Sequence, residues 1–509
     1  MAFTRKNVWE LGRDWADPIL WYARGVAAMK SRALAAPTGW RFYGGIHGFD
    51  RGMWQQLGYF SSSDKMPSSA DQRRFWKQCQ HGSWYFLPWH RGYLLAFEAN
   101  VRAAVTSLGG PSDWALPYWN YFKDGQANLP PAFASAYWPD GTGNNPLFVP
   151  QRYGPNNDGN VFIPLDQANL DAMSDPDFTG VASGGDPGFG GVDTGFSHGG
   201  PTHGALESQP HDMVHVLVGG GDPSNPQLPG LMSDPDTAGL DPIFYLHHAN
   251  IDRLWQVWRL NPPTVVDPTD LNWVKGPANT GGRVFSMPMP NGTAWDYTPG
   301  DMEDLGKLGY TYDDLSPAVA APEPASRALA LGASRAAATR GAAMAKGKNV
   351  ELVGANEEPL QIKGGGTRTS VQLDAGVRRK VAASLSVSGD EAPQPDRVYL
   401  NLENVRGLAD ATSFKVYIGL PENAKPADHP ENLAGTVALF GVRKASQADE
   451  EHGGQGLNFV LDISDIVDSL HMRNALNTDS LDVRIVPVKP VPDEAQITVG
   501  RVSIFRQGN

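Results

Sequence analysis

The chain of 509 residues has a single cysteine, Cys79, so no intramolecular disulfide can brace it. Stability must come from packing and bound metal. No uncharged apolar run approaches the roughly 18–20 residues that a membrane-spanning helix needs. The opening stretch MAFTRKNVWELGRDWAD carries charges where a secretion signal would have its apolar centre, which makes a cytoplasmic location the expectation. Basic residues are outnumbered, 42 Lys and Arg against 55 Asp and Glu. The resulting net charge of -13 argues against nucleic acid or an anionic membrane as partner.

Tryptophan is missing from the last part of the chain. All fifteen lie between Trp9 and Trp295, and nine of the twelve histidines lie at or before His248. Two composition classes in a chain too long for one comfortable core imply two domains. The expected division is 1–313, a mainly α domain; 314–358, an Ala-rich linker or lid; and 359–509, a β-rich domain. Within the linker, the segment from Ser316 to Lys348 has three prolines and almost no large apolar residues, so it cannot form a core of its own. Its part from Ser326 to Ala345 could instead be a surface helix.

Helical spacing of apolar residues runs through Asn7–Arg32, Trp89–Leu108, Pro210–Val218 and His247–Leu260. Six β-branched runs follow, starting at Val398, Phe414, Thr436, Leu457, Leu481 and Ile497. Gly, Pro and Asp clusters separate them, which indicates an antiparallel sandwich or barrel.

Six histidines form two triplets, His47/His81/His90 and His211/His215/His248. His211 and His215 are one helical turn apart and point from the same face. His81 and His90 would lie on opposite faces of one helix, but Pro88 starts a new helix between them. Of the adjacent pair His247–His248, one residue faces the metal, and Asp252, one turn later, is placed to orient it. Three imidazoles per ion without a carboxylate ligand suit a borderline metal such as copper. Two such sites on one domain suggest a dinuclear centre that handles O2. His198 and His203, in the loop GFSHGGPTHG, read as solvated, and His429, His452 and His471 carry no assigned role.

These strings resemble the type 3 copper proteins: tyrosinases, catechol oxidases and molluscan haemocyanins. The pattern His-x8-His-Arg-x6-Glu is met by His81, His90, Arg91 and Glu98. A second pattern is met by Asp241, Pro242, Phe244, Tyr245, His248 and Asp252, and it implies His248 as the ligand. GGIHG around His47 is similar to the first ligand segment of fungal tyrosinases. Cys79-Gln80-His81 is similar to a fungal Cys-x-His in which a thioether joins sulfur to the imidazole; a free buried thiol is the alternative. The resemblance further implies that Glu207 holds a water near the second copper. Pro235 falls at a gatekeeper position, where a small residue leaves the entrance open, and Val216 lines that entrance. Tyr310 and Tyr312 match a Tyr-x-Tyr motif that closes the catalytic domain, with Arg5 as its partner.

The implied architecture is a mainly α catalytic domain, with a central antiparallel four-helix bundle holding two coppers, plus a C-terminal antiparallel β-sandwich or barrel. Plant and fungal polyphenol oxidases carry such a tail as a shield, and Phe440 is the candidate for a side chain inserted into the site. The implied activity is ortho-hydroxylation of monophenols and oxidation of o-diphenols to o-quinones, with O2 as co-substrate and small phenols as partners. A homo-oligomer stays open. Asp212 follows the first ligand of the second site where many hydroxylating relatives have Asn, and a carboxylate cannot donate the amide's hydrogen bond. A catechol or o-aminophenol oxidase is therefore the nearest alternative. A reversible oxygen carrier is the alternative from another class.

Overall fold

The computed structural model describes residues 2–225, 228–260, 265–316, 349–376, 396–421, 423–448, 453–472 and 479–508. Residues 326–345, the expected surface helix, and His452 lie outside them. The first part of the chain is built on helices α1 (Asp17–Lys30), α2 (Trp40–His47), α3 (Phe86–Ser107), α4 (Met213–Gly219) and α5 (Pro242–Leu260). Asp17-Pro18 starts α1, where a proline costs no hydrogen bond. Ile19, Tyr22, Ala23, Val26 and Met29 form its buried stripe. The helix is shorter than the expected Asn7–Arg32, because Val8–Glu10 forms a separate 3-10 turn capped by the Asn7 side chain.

α3 is buried around most of its circumference and packs on both α1 and α5. A Cβ on its Gly92 would fall 2.2 Å from the Tyr297 ring, so only glycine lets that ring close over the helix. α5 begins at Pro242, five residues before the expected start, so His247 and His248 sit inside it. α4 is preceded by Glu207–Asp212, where Gln209 is extended (φ -140°, ψ 120°) ahead of Pro210. Phe3–Arg5 (β1) pairs in parallel with Tyr310–Tyr312 (β2), joining the two ends of this helical part.

All six expected β runs are strands, and three more precede them. In chain order these are β3 (Asn349–Ala355), β4 (Leu360–Gln361), β5 (Thr367–Leu373), β6 (Arg397–Arg406), β7 (Ser413–Ile418), β8 (Leu433–Ala438), β9 (Leu457–Asp462), β10 (Ser480–Pro487) and β11 (Thr498–Gly508). They pair antiparallel in the order β8-β7-β10-β5-β3-β11-β6-β9, with β4 beside β11. The end strands β8 and β9 approach at Gly435, where a Cβ would meet Leu461 at 2.9 Å. The sheet is thus a nearly closed barrel, not a sandwich, and closure leaves little free edge. It starts at Asn349, inside the segment 314–358 expected to be linker. Strand β3, NVELVGA, gives a weak period-two signal, because Leu352 and Val353 are adjacent and only Val353 is buried.

The barrel and the helical part touch broadly. Arg397 pairs with Asp186 at 3.0 Å, Lys489 Nζ donates to Asn157 Oδ1 at 2.7 Å, and Asn458 N donates to Pro201 O at 2.7 Å. The loop after β8 reaches furthest. Ala438 and Phe440 belong to the hydrophobic core of the helical part, while their neighbours Val437 and Leu439 belong to that of the barrel.

Candidate dinuclear metal centre

His47 is the last residue of α2, and Gly48 stops the helix there. A Cβ on Gly48 would fall 2.7 Å from both Pro235 O and Asp236 Oδ1, so glycine permits the 235–236 segment to lie against the histidine. His81 precedes α3 in an irregular segment turned by Gly82, whose φ of +59° and contact with Gly200 both require glycine. His90 lies in the early part of α3. His211 and His215 flank the start of α4, and α5 supplies His247 and His248.

The donor atoms of His47, Cys79, His81 and His90 lie within 4.8 Å of one another, as do those of His211, His215, His247 and His248. All eight residues are buried. The groups adjoin: the rings of His90 and His248 stack with centroids 4.4 Å apart, and His81 lies 5.9 Å from His211. Four imidazoles have a fixed tautomer. His47 Nδ1 donates to Pro235 O (2.8 Å), His90 Nδ1 to Phe86 O (2.8 Å), His215 Nδ1 to Met232 O (2.7 Å) and His211 Nδ1 to Asp212 Oδ1 (2.9 Å). Carbonyl and carboxylate oxygens only accept, so each of these rings keeps its lone pair on Nε2. The Nε2 atoms of His47 and His211 are buried with no hydrogen-bond partner. Those of His215 and His248 face each other at 3.3 Å.

Burial holds these rings neutral. It pushes His47 down to about 4 and His247 to about 3, and takes His81, His90, His211, His215 and His248 well below the ordinary histidine value. Buried, neutral, inward-facing imidazole lone pairs without partners are costly unless a cation satisfies them. The donor set therefore fits a pair of borderline metal ions.

Around the two groups the sequence expectations divide. Cys79 Sγ lies 3.5 and 3.7 Å from the two ring nitrogens of His81 and 3.4 Å from His90 Nε2. Glu207 is fully buried and accepts from Gly82 N at 3.1 Å. Burial, with Asp212 nearby, raises its carboxyl above the usual range while His203 pulls it back. Asp212 accepts from His211 with one oxygen and from His203 Nδ1 (2.7 Å) with the other. Val216 is buried on the turn after His215.

Three expectations are corrected. His198 and His203 are buried, not solvated: His198 Nδ1 donates to Cys79 O at 2.9 Å, and His203 bridges the carboxylates of Asp212 and Glu207. Burial opposes the His203 proton, but those two carboxylates hold its value up at about 9. Asp252 does not orient His248, whose Nδ1 has no hydrogen-bond partner. It binds Arg91, Arg5, Tyr310 and Tyr312 instead. At Pro235 the entrance is covered, by the barrel loop and not by the proline itself: Gly441 packs against its ring.

Nothing in the sequence announced how the barrel loop is held. The Phe440 ring lies 4.3 Å from that of His215 at 24°, and 5.7 and 5.8 Å from His211 and His81. Just beyond it, Lys444 Nζ binds Asp236 Oδ1 (2.7 Å) and His198 Nε2 (3.2 Å), and Arg443 binds Asp234 (2.6 Å). Asp236 gave no sequence signal, being one acid among several in the run SDPDTAGLDP. His203 did offer one: it stands one helical turn before Glu207 and two before His211.

A family model described as the common central domain of tyrosinase matches residues 37–175 and 166–261. A tyrosinase of Hahella sp. (strain CCB-MM4), HcTyr1, is 36% identical over 99% of this chain and 99% of its own. The chain belongs to the tyrosinase family. The two histidine groups accordingly fit its dinuclear copper centre, and the protein is a tyrosinase-family oxidase. A chloroplastic polyphenol oxidase of Malus domestica is 24% identical over 80% of this chain and 64% of its own. Residues 349–507 match a family model described as a domain of unknown function. The fold is that of latent apple tyrosinase (TM-score 0.62, 20% identity, 100% of this chain and 98% of that one) and of latent aurone synthase (TM-score 0.56, 19% identity, 99% and 89%).

Proposed function

We propose that this tyrosinase-family oxidase ortho-hydroxylates monophenols and oxidises o-diphenols to o-quinones, and that the barrel loop holds it in a latent state. His47, His81 and His90 would hold one copper, and His211, His215 and His248 the other. His248 is preferred to its neighbour His247 because its Nε2 meets that of His215 at 3.3 Å and its ring stacks on His90 between the two groups, whereas His247 Nδ1 meets the Tyr121 hydroxyl at 3.2 Å. Bound there, the copper pair would supply O2 binding and a two-electron oxidation. The Cys79 sulfur lies against the His81 ring, within reach of both its nitrogens, and this proximity supports a thioether crosslink.

The chain's own groups do the rest. The stacking face of His215, now covered by Phe440, is where a phenol ring would lie. Glu207 is buried beside the site, and burial raises its carboxyl to about 8, so its ionised form is a stronger base than an ordinary carboxylate, suited to accept a phenolic proton at its Oε atoms. Trp89, Phe86 and Phe244 close the site against water. The observation that carries latency is the Phe440 ring itself, almost fully buried against His215.

One observation favours a second reading, an o-diphenol oxidase without the hydroxylating step. Both Asp212 oxygens already accept, from His203 and His211, so Asp212 donates nothing toward Glu207. Oxygen uptake by the copper-loaded protein, cut within 317–348, with a simple monophenol as sole substrate separates the two. Uptake with quinone colour supports the hydroxylating reading; uptake with catechol alone overturns it.

A further inference from the structure

The barrel loop places two chemically distinct groups in the site mouth. Phe440 lays an aromatic ring on His215, and Lys444, one helical turn along, brings an ammonium to Asp236. Both line the same cavity, together with His81, His203 and Pro235. Asp236 is held there by structure: Asp234 Oδ1 accepts from its amide N, its carbonyl accepts from Trp54 Nε1, and Gly48 leaves room for its carboxylate. Lys444 and Arg443 are the cations that answer Asp236, Asp234 and Asp50, and both belong to the barrel. When the loop withdraws, they leave with it. On the helical side His198 stays beside Asp236, its Nδ1 donating to Cys79 O and its Nε2 turned to Lys444, so the carboxylate keeps that polar neighbour but loses the Lys444 ammonium.

We propose that, once the loop withdraws, Asp236 selects phenols carrying an ammonium group on a short arm over neutral phenols and phenolic acids. This rests on the phenol-oxidase reading. Asp236 is a specificity-determining residue: its carboxylate meets the substrate's ammonium as it now meets Lys444. A charge-assisted hydrogen bond at a buried carboxylate is short and strong, and a carboxylate-bearing phenol would face repulsion at the same point.

The test uses the copper-loaded full chain carrying Phe440→Gly and Lys444→Ser, which empties both places. Its probes are three o-diphenols, with an aminoethyl arm, a propionate arm or a methyl group, so the hydroxylating step does not enter. We expect kcat/KM for the aminoethyl compound to exceed that for the propionate by at least about tenfold, through KM, with the methyl compound between. High salt should shrink the ratio. Adding Asp236→Asn should bring it within about twofold, chiefly by raising KM for the aminoethyl compound. Phe440→Gly alone, with Lys444 still on Asp236, should show a smaller preference. Equal or reversed ratios in the double variant overturn the proposal without need of the Asn variant, as does a preference that survives Asp236→Asn. No turnover of any probe at full copper content would instead defeat the phenol-oxidase reading.

Discussion

Phe440 and His215 stack at 4.3 Å although 225 residues separate them in the chain, and Phe440 comes from the barrel while His215 belongs to the helical part. Burying a phenylalanine stabilises by about 1.5–3 kcal/mol, so the ring holds the loop shut and excludes any other ring from the same face. Phe440→Gly in the full chain should raise turnover of a small catechol by at least about tenfold with copper content unchanged, while the unfolding midpoint drops. Unchanged turnover would show that the loop is no barrier.

Asp252 gathers Arg5, Arg91, Tyr310 and Tyr312 around one fully buried carboxylate. Asp252→Ala leaves two guanidiniums without that partner in the core and should cost about 3–5 kcal/mol, read as a lower denaturant midpoint. A loss below about 1 kcal/mol would mean that Glu98, which also binds Arg5, suffices alone.

Acid should destabilise the copper-free protein early. His47 is held down to about 4 in the fold, against about 6.5 when unfolded, and the other site imidazoles lie low as well. Between those values the unfolded chain binds protons that the folded core refuses, so stability falls as pH drops below about 6.5. Thermal unfolding of the apoprotein from pH 7.5 to 4.5 should trace that fall. The stabilisation that copper adds should shrink over the same range, because protons compete for the imidazoles. A flat apoprotein profile would contradict the burial of neutral rings.

Glu207→Gln removes the proposed proton acceptor while keeping the shape. Monophenol turnover should fall by about a hundredfold or more, with o-diphenol turnover and copper content largely kept. Asp212→Asn should move the ratio of the two activities the other way, toward monophenols, because the amide can donate. If both variants leave the ratio where it was, neither residue governs the hydroxylating step.

The two histidine groups were legible because metal binding ties residue type to spacing: His211/His215 at one turn, and His81/His90 broken by Pro88. The six later strands were legible from their alternation, one face in the barrel and one out. What escaped depends on contacts between parts distant in sequence. His203 looked like one more loop histidine among glycines, yet Gly82 and Gly200 fold its loop over the site. Asp252 was assigned to its neighbour His248 by helical spacing, but Arg5, 247 residues earlier, claims it. β3 carries too few buried residues to announce itself, and its place is fixed by pairing with β11 and β5.

The parallel pairing of β1 with β2 sets an order on events during synthesis. Arg5 cannot reach its Tyr312 partner until residue 312 has left the ribosome, so the helical part is closed last by its own two ends. The barrel is then still being made, and β11, the strand that joins β3, β4 and β6, comes at the very end. During that interval no Phe440 is present to cover the His215 face, so copper entering then would have no barrel loop to displace.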